Sequence, residues 1–178
     1  MDEKVNRTFA GIDPGITGAI AILDAETGDL LSVIDMPVCL KNYGAGKGQK
    51  VNCESLAEIL GMNGVERCTV ETVTARPGQG VTSMFSFGHS AGTIEGVLAA
   101  LNINAQFVLP KRWQSIYAHK ATWDKSESTR LAAMIYPEIN LVGSRDGVKH
   151  GRADAALIAR WGWESLQKQL GTDKGMVK

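Results

Sequence analysis

Four side chains in this sequence could do chemistry together. Asp13 in "FAGIDPG", Glu71 in "CTVETV" and Asp154 in "HGRADAALIA" are acids planted where an apolar run ends or begins. A carboxylate at the edge of buried structure must be paired, bound to a cation or left in water. Brought together, the three would repel and raise one another's pKa values unless positive charge sat among them. Carboxylate oxygens suit hard divalent ions such as Mg²⁺ and Mn²⁺, and two such ions can activate a water and stabilise the leaving oxygen of a phosphodiester. His150 lies four residues before Asp154, on the same face of a helix, where it could ligate a metal or handle a proton. Each residue also has a plainer role: Asp13 as a turn-former before Pro14, Glu71 and Asp154 in local salt bridges, His150 as a solvated helix start. Three acids at successive element ends weigh against that for the set. His89 and His119 have no acid at ligand spacing and read as surface or packing residues.

The elements that must carry these residues follow from pattern. "RTFAGIDPG" is a buried strand stopped by Pro14 and Gly15. "GAIAILDAETGDLLSVIDMP" is a hairpin turning at Glu26 to Asp29. "KNYGAGKGQK" reads as a mobile, basic loop, and it lacks the spacing of a phosphate-binding P-loop. "NCESLAEILGMNG" is a helix capped by Asn52 or Ser55, and "ERCTVETVTA" is a short strand ending near Glu71. "TSMFSFGHSAGTIEGVLAALNI" is a longer helix with Gly88, Gly92 and Gly96 on one face. Glycine costs about 1 kcal/mol in a helix interior, so that face is expected to meet another backbone at close range. "AQFVLP" is a strand, "SESTRLAAMIYP" a helix, and "HGRADAALIARWGWESLQKQL" the last helix, with a frayed tail from Gly171. Three strands in hairpin order followed by alternating helices and strands make an α/β domain, with antiparallel strands at one side of a mixed sheet. A doubly wound dinucleotide fold is excluded, because its first strand would lead straight into a helix.

Composition sets the bounds. The 178 residues are 44 % apolar and 21 % charged, enough for one domain with a real core spanning 1–178. A net charge of +0 neither announces nor excludes a nucleic-acid partner. Cys39, Cys53 and Cys68 form no CxxC pair, which reads as reduced thiols. No run approaches the roughly 20 apolar residues of a membrane span, and the start "MDEKVNRTFAG" carries no signal or transit peptide. The expectation is a cytoplasmic protein of a bacterial or phage-infected cell, with an organelle form disfavoured.

"GIDPGITGAIAIL", "VET" and "HGRADAALIARWG" together resemble the RuvC-type Holliday-junction resolvases of the RNase H-like superfamily, across nearly the whole chain and in order. The histidine four before the final acid is most similar to the chloroplast and phage branch. The resemblance implies an RNase H-like mixed five-stranded sheet flanked by helices. It implies a homodimeric, Mg²⁺-dependent endonuclease, with two ions per site and Mn²⁺ as a substitute, that makes paired nicks in four-way DNA junctions during recombination and repair. The metal and catalytic set would be Asp13, Glu71, His150 and Asp154. Two departures stand out. The bacterial type has an acid three positions before the last one, where this chain has Gly151, so the fourth role passes to His150. Its aromatic wedge after the second acid is also missing from "TVTARPGQG", leaving Met84 and Phe85 as candidates.

Basic residues flank the acid motifs: Lys41, Lys47 and Lys50, then Arg76, Lys111, Arg112, Lys120, Lys125, Arg145, Lys149 and Arg152. Lys47, Lys50, Arg76, Lys111, Arg112, Lys149 and Arg152 are the candidate DNA contacts, because phosphate contacts position a duplex. Scattered solvation is their alternative. Trp113, Tyr117 and Trp123 could stack on bases, but tryptophans near helices more often pack in the core, as expected for Trp161 and Trp163. Competing readings are a non-junction RNase H-like nuclease, a non-catalytic junction-binding module, and an actin-like ATPase, whose second phosphate loop and lobe this length leaves no room for.

Overall fold

The structure, a computed structural model, describes residues 7–41, 48–75, 78–117, 123, 125–141 and 150–175. Five strands form one sheet in the order β3-β2-β1-β6-β7: β1 (Thr8–Asp13), β2 (Ala19–Asp24), β3 (Leu30–Asp35), β6 (Val65–Glu71) and β7 (Asn104–Val108). β1, β2 and β3 are antiparallel neighbours, whereas β6 and β7 run parallel to β1. This is the mixed sheet that the hairpin-then-alternation pattern predicts. The β2–β3 turn forms because Asp24 Oδ1 accepts the backbone N–H groups of Glu26 and Thr27, at 2.8 and 2.9 Å, and Gly28 takes a left-handed φ of 77°.

Five helices flank the sheet: α1 (Cys53–Met62), α2 (Val81–Ala100), α3 (Pro110–Tyr117), α4 (Lys125–Ile135) and α5 (His150–Gly175). The cap of α1 is Asn52, whose side chain accepts from Glu54 N and Ser55 N. Strand alternation assigns the two faces. Ala10, Ile12, Ile20, Ile22, Cys68 and Val70 pack against Leu56, Leu60, Ile94 and Leu98 of α1 and α2. Phe9, Ala19, Ala21 and Leu23 pack against Ala155, Ala156 and Ala159 of α5. Both faces of β1 and β2 are thus covered, which is why their sequences are near-continuous apolar runs. Burial pushes the Cys68 thiol up to about 12, and all three cysteines are free.

Several expectations are corrected. Two short strands, β4 (Val38–Leu40) and β5 (Gln49–Val51), pair into a separate sheet and take Gln49 and Lys50 out of the expected loop. α3 starts on Pro110, a favoured first helical residue, at the expected end of the strand "AQFVLP" and in a stretch given no element from the sequence. α5 runs on to Gly175 instead of fraying at Gly171. Among the described residues the glycine face of α2 meets nothing: a Cβ on Gly88, Gly92 or Gly96 would have no neighbouring atom within 4 Å. That face is turned away from the core, with Val81 and Phe85 exposed beside it.

Close helix packing occurs instead between α5 and β1. A Cβ on Gly11 would fall on the Ala159 nitrogen and the Ala155 carbonyl oxygen, and one on Gly162 would fall on Thr69 Oγ1. Gly151, Ala155, Ala159 and Gly162 form one small-residue face along α5, and the sheet fits against it.

Candidate active site

Asp13 and Glu71 are the last residues of adjacent parallel strands. Phe9 pairs with Arg67 and Ile12 with Val70, and the same offset carried one residue further sets Asp13 beside Glu71. Alternation then decides their side. Asp13 shares the parity of Phe9 and Gly11, and Glu71 that of Thr69, all of which face α5. Both carboxylates line a cavity of about 490 Å³ at the carboxyl ends of the strands, walled by Pro14, Thr72, Phe87 and Pro110. Ligands of open α/β sheets bind at this end.

Asp154 and His150 arrive on α5. Gly151 lies so close to the turn after β1 that a Cβ would come 2.6 Å from the Thr17 carbonyl oxygen and 3.1 Å from Asp13 Oδ2. The first turn of α5 is therefore pressed against Asp13, with Asp154 one turn further into the helix and its Oδ1 buried. His150 Nδ1 is 3.2 Å from Thr129 Oγ1 of α4. Asp13 and Glu71 share the cavity wall, whereas His150 and Asp154 stand beside it and not in its lining. Among the described residues, no three His, Cys, Asp or Glu side chains are close enough together to cage a metal ion. The donor chemistry nonetheless fits a hard divalent cation: two carboxylates line one cavity from adjacent strand ends, with a third on the helix whose first turn is pressed against Asp13.

Two side chains at the candidate site were not legible in advance. Trp113 is fully buried, and its Nε1–H donates to Glu71 Oε2 at 2.8 Å. It is a core residue, as its type suggests, but one that orients a candidate ligand. Trp123 packs edge-on against it. Phe87, 41 % exposed, lines the cavity, whereas Phe85 lies on the outer face of α2 with its ring beside His89.

The basic candidates divide. Lys111 and Arg112 are exposed at the start of α3, and Lys50 is half-buried on β5. Arg152 donates from Nε to Asp35 Oδ1 at 2.7 Å and from Nη1 to the Asn140 carbonyl oxygen at 3.0 Å. With 15 % of its side chain exposed, it is a strut between α5 and β3. Lys47, Arg76 and Lys149 lie outside the described residues, as do His119, Lys120 and Arg145.

No model of a known protein family matches the chain, and no curated protein matches its sequence. Solved structures do match its shape. Thermus thermophilus RuvC in complex with a Holliday junction substrate superposes with a TM-score of 0.61 at 16 % identity, over 90 % of this chain and 96 % of that one. A second Thermus thermophilus RuvC structure gives 0.55 at 17 % identity, over the same shares of the two chains. The chain has the RuvC fold. This is the RNase H-like architecture that the motifs imply, with its mixed five-stranded sheet and flanking helices. No described helix is long and apolar enough to cross a membrane.

Crowding at Gly151 bears on the missing fourth acid. At position 151 the nearest atoms are backbone, which cannot rotate away. Overpacking of this kind costs about 1–3 kcal/mol. Gly151→Asp, which would write in the bacterial acid, is therefore expected to lower the melting temperature by about 2–12 °C. Thermal denaturation followed by circular dichroism checks it, and an unchanged transition would mean that the turn after β1 can yield.

Proposed function

We propose that this protein is a structure-selective DNA endonuclease that resolves four-way junctions by metal-dependent phosphodiester hydrolysis, with paired nicks. The observation that carries the proposal is the placement of Asp13 and Glu71 at adjacent parallel strand ends in one cavity, on a fold shared with a RuvC solved in complex with a Holliday junction substrate. Asp13, Glu71 and Asp154 hold the cation, Mg²⁺ in the first instance. When bound, a divalent ion would offset charge on the phosphate oxygens and make a nearby water a better nucleophile. Trp113 fixes the orientation of Glu71 through Oε2. His150, whose Nδ1 faces Thr129, has Nε2 left to ligate the ion or hold a proton. Lys111 and Arg112 contact DNA phosphates. The place in the chloroplast and phage branch rests on His150 standing four residues before Asp154.

The test is a labelled four-way junction, a linear duplex and an RNA–DNA hybrid, each with and without Mg²⁺. Paired nicks in the junction alone, only with Mg²⁺, are expected. Asp13→Asn keeps the shape but removes a ligating charge, and a lost effect of several kcal/mol slows nicking at least about a thousandfold. Junction binding persists in that variant, because affinity comes mainly from basic residues. Preferential cleavage of the hybrid would replace junction resolution with an RNase H activity.

The active form is a homodimer, since paired nicks on a nearly two-fold junction call for two sites with the same symmetry. Support comes from α2, whose Gly88, Gly92 and Gly96 carry a helix cost that no contact among the described residues offsets. A second copy's α2, approaching backbone to backbone, would do so. Gly92→Glu should convert the dimer to a monomer in sedimentation at micromolar concentration with an unchanged circular dichroism spectrum. A wild-type monomer, even with junction DNA present, contradicts the dimer.

A further inference from the structure

A second pocket adjoins the acid cavity, with Phe87 in the wall of both. It measures about 330 Å³ and is lined by Gly15, Lys41, Thr82, Ser83 and Ser86 among others. Gly15 is two residues from Asp13, at most about 7 Å along the chain, so the two pockets are immediate neighbours. Their chemistry is opposite. The first presents Asp13 and Glu71; among the described residues, the second has a lysine and several hydroxyls and no carboxylate in its lining. Among the described residues Lys41 is paired with no acid. Its Nζ donates to Ser86 Oγ at 2.9 Å. An ammonium has three donors, so two remain, and Ser86, already accepting, keeps its own hydroxyl proton to donate.

The lysine is held in place from behind. Lys41 follows β4, its N–H donates to the Gly48 carbonyl oxygen at 2.8 Å, and Gly48 precedes β5. A Cβ on Gly48 would come 3.1 Å from Lys41 Cδ, so the glycine lets the lysine stem lie against the backbone. The small β4–β5 sheet therefore aims one cation at α2.

We propose that this pocket is a second phosphate subsite, in which Lys41 and Ser86 hold a backbone phosphodiester of the same strand next to the one at Asp13 and Glu71. The inference rests on the proposed nuclease function and adds where the strand runs: from the acid cavity, past Phe87, over the start of α2 to β4–β5. The two pockets need different partners for the same ligand group. A phosphate at the acids requires a metal ion between, whereas one at Lys41 is bound by the protein directly.

The test measures binding to a four-way junction and to a single-stranded decamer without divalent metal, across a salt series, for the wild type, Lys41→Met, Ser86→Ala and Lys41→Arg. One lost phosphate contact should make the slope of log K against log salt shallower by about 0.9 for the junction and about 0.7 for the decamer in Lys41→Met. Lys41→Arg should restore the slope, and Ser86→Ala should weaken binding less than Lys41→Met does. A junction carrying one neutral methylphosphonate beside the scissile phosphate should bind the wild type more weakly but leave Lys41→Met unaffected. Inorganic phosphate should not compete at millimolar concentration; Lys41-dependent competition there would make this a pocket for a free anion and overturn the strand subsite. Equal slopes for wild type and Lys41→Met, in protein that nicks junctions, overturn the subsite and leave the nuclease function standing. Lys41-dependent binding of the decamer without junction binding does the reverse, and a wild type that binds neither overturns both.

Discussion

The site depends on how closely α5 lies on β1. A helix normally stands off a sheet by the depth of its side chains. Here Gly11 on the strand and Ala155 and Ala159 on the helix remove that depth, leaving backbone against backbone, while Gly162 makes room for the Thr69 side chain of β6. Such contact permits little sliding, because the atoms nearest Gly11 are all main chain and packed at interior density. At the end of the same face, Gly151 brings the first turn of α5 against Asp13 Oδ2. An acid on a helix can cooperate with acids on strand ends only if the helix is fixed to within a fraction of an ångström, and this packing supplies that constraint.

Other contacts secure the same helix along its length. Arg152 ties its start to Asp35 of β3. Leu157 and Ile158 pack on the far side with Val108 and Trp113, so the residue that orients Glu71 is part of the layer that supports α5. Further along, Trp163 Nε1 donates to the Ala25 carbonyl oxygen, and Tyr136 on the segment after α4 donates to that of Gly28, joining both to the β2–β3 turn. Burial raises the Tyr136 phenol, which stays protonated and able to donate. The α1 and α2 layer supports the opposite face of the sheet and contributes Phe87 to the cavity.

Much of this could be read from the sequence, for identifiable reasons. Strands buried on both faces show as apolar runs, and an acid that ends such a run, as Asp13 and Glu71 do, is conspicuous because burial alone would not put it there. What pattern cannot show is which neighbour a small residue meets. The glycines of α2 and those of α5 look alike in sequence; the first face solvent in the single chain, and the second seat a helix on a strand. Pairing across distance is equally hidden. Nothing local links Trp113 to Glu71, 42 positions apart, or Arg152 to Asp35, 117 positions apart. The three-residue strands β4 and β5 fell below what alternation can detect, and a Gly-rich, basic composition made their surroundings read as loop. The resemblance to RuvC, carried by three short motifs, reached the fold because those motifs mark the ends of the elements that pack most closely.

The central claim is that the seating of α5 on β1 makes one cation site out of two strand ends and a helix. It is tested most directly by anomalous diffraction from crystals of the protein soaked in Mn²⁺. The account predicts a Mn²⁺ peak about 2.0–2.2 Å from carboxylate oxygens of Asp13, Glu71 and Asp154 together. A fully occupied ion held by Asp13 and Glu71 with Asp154 out of reach, or by none of the three, would contradict it.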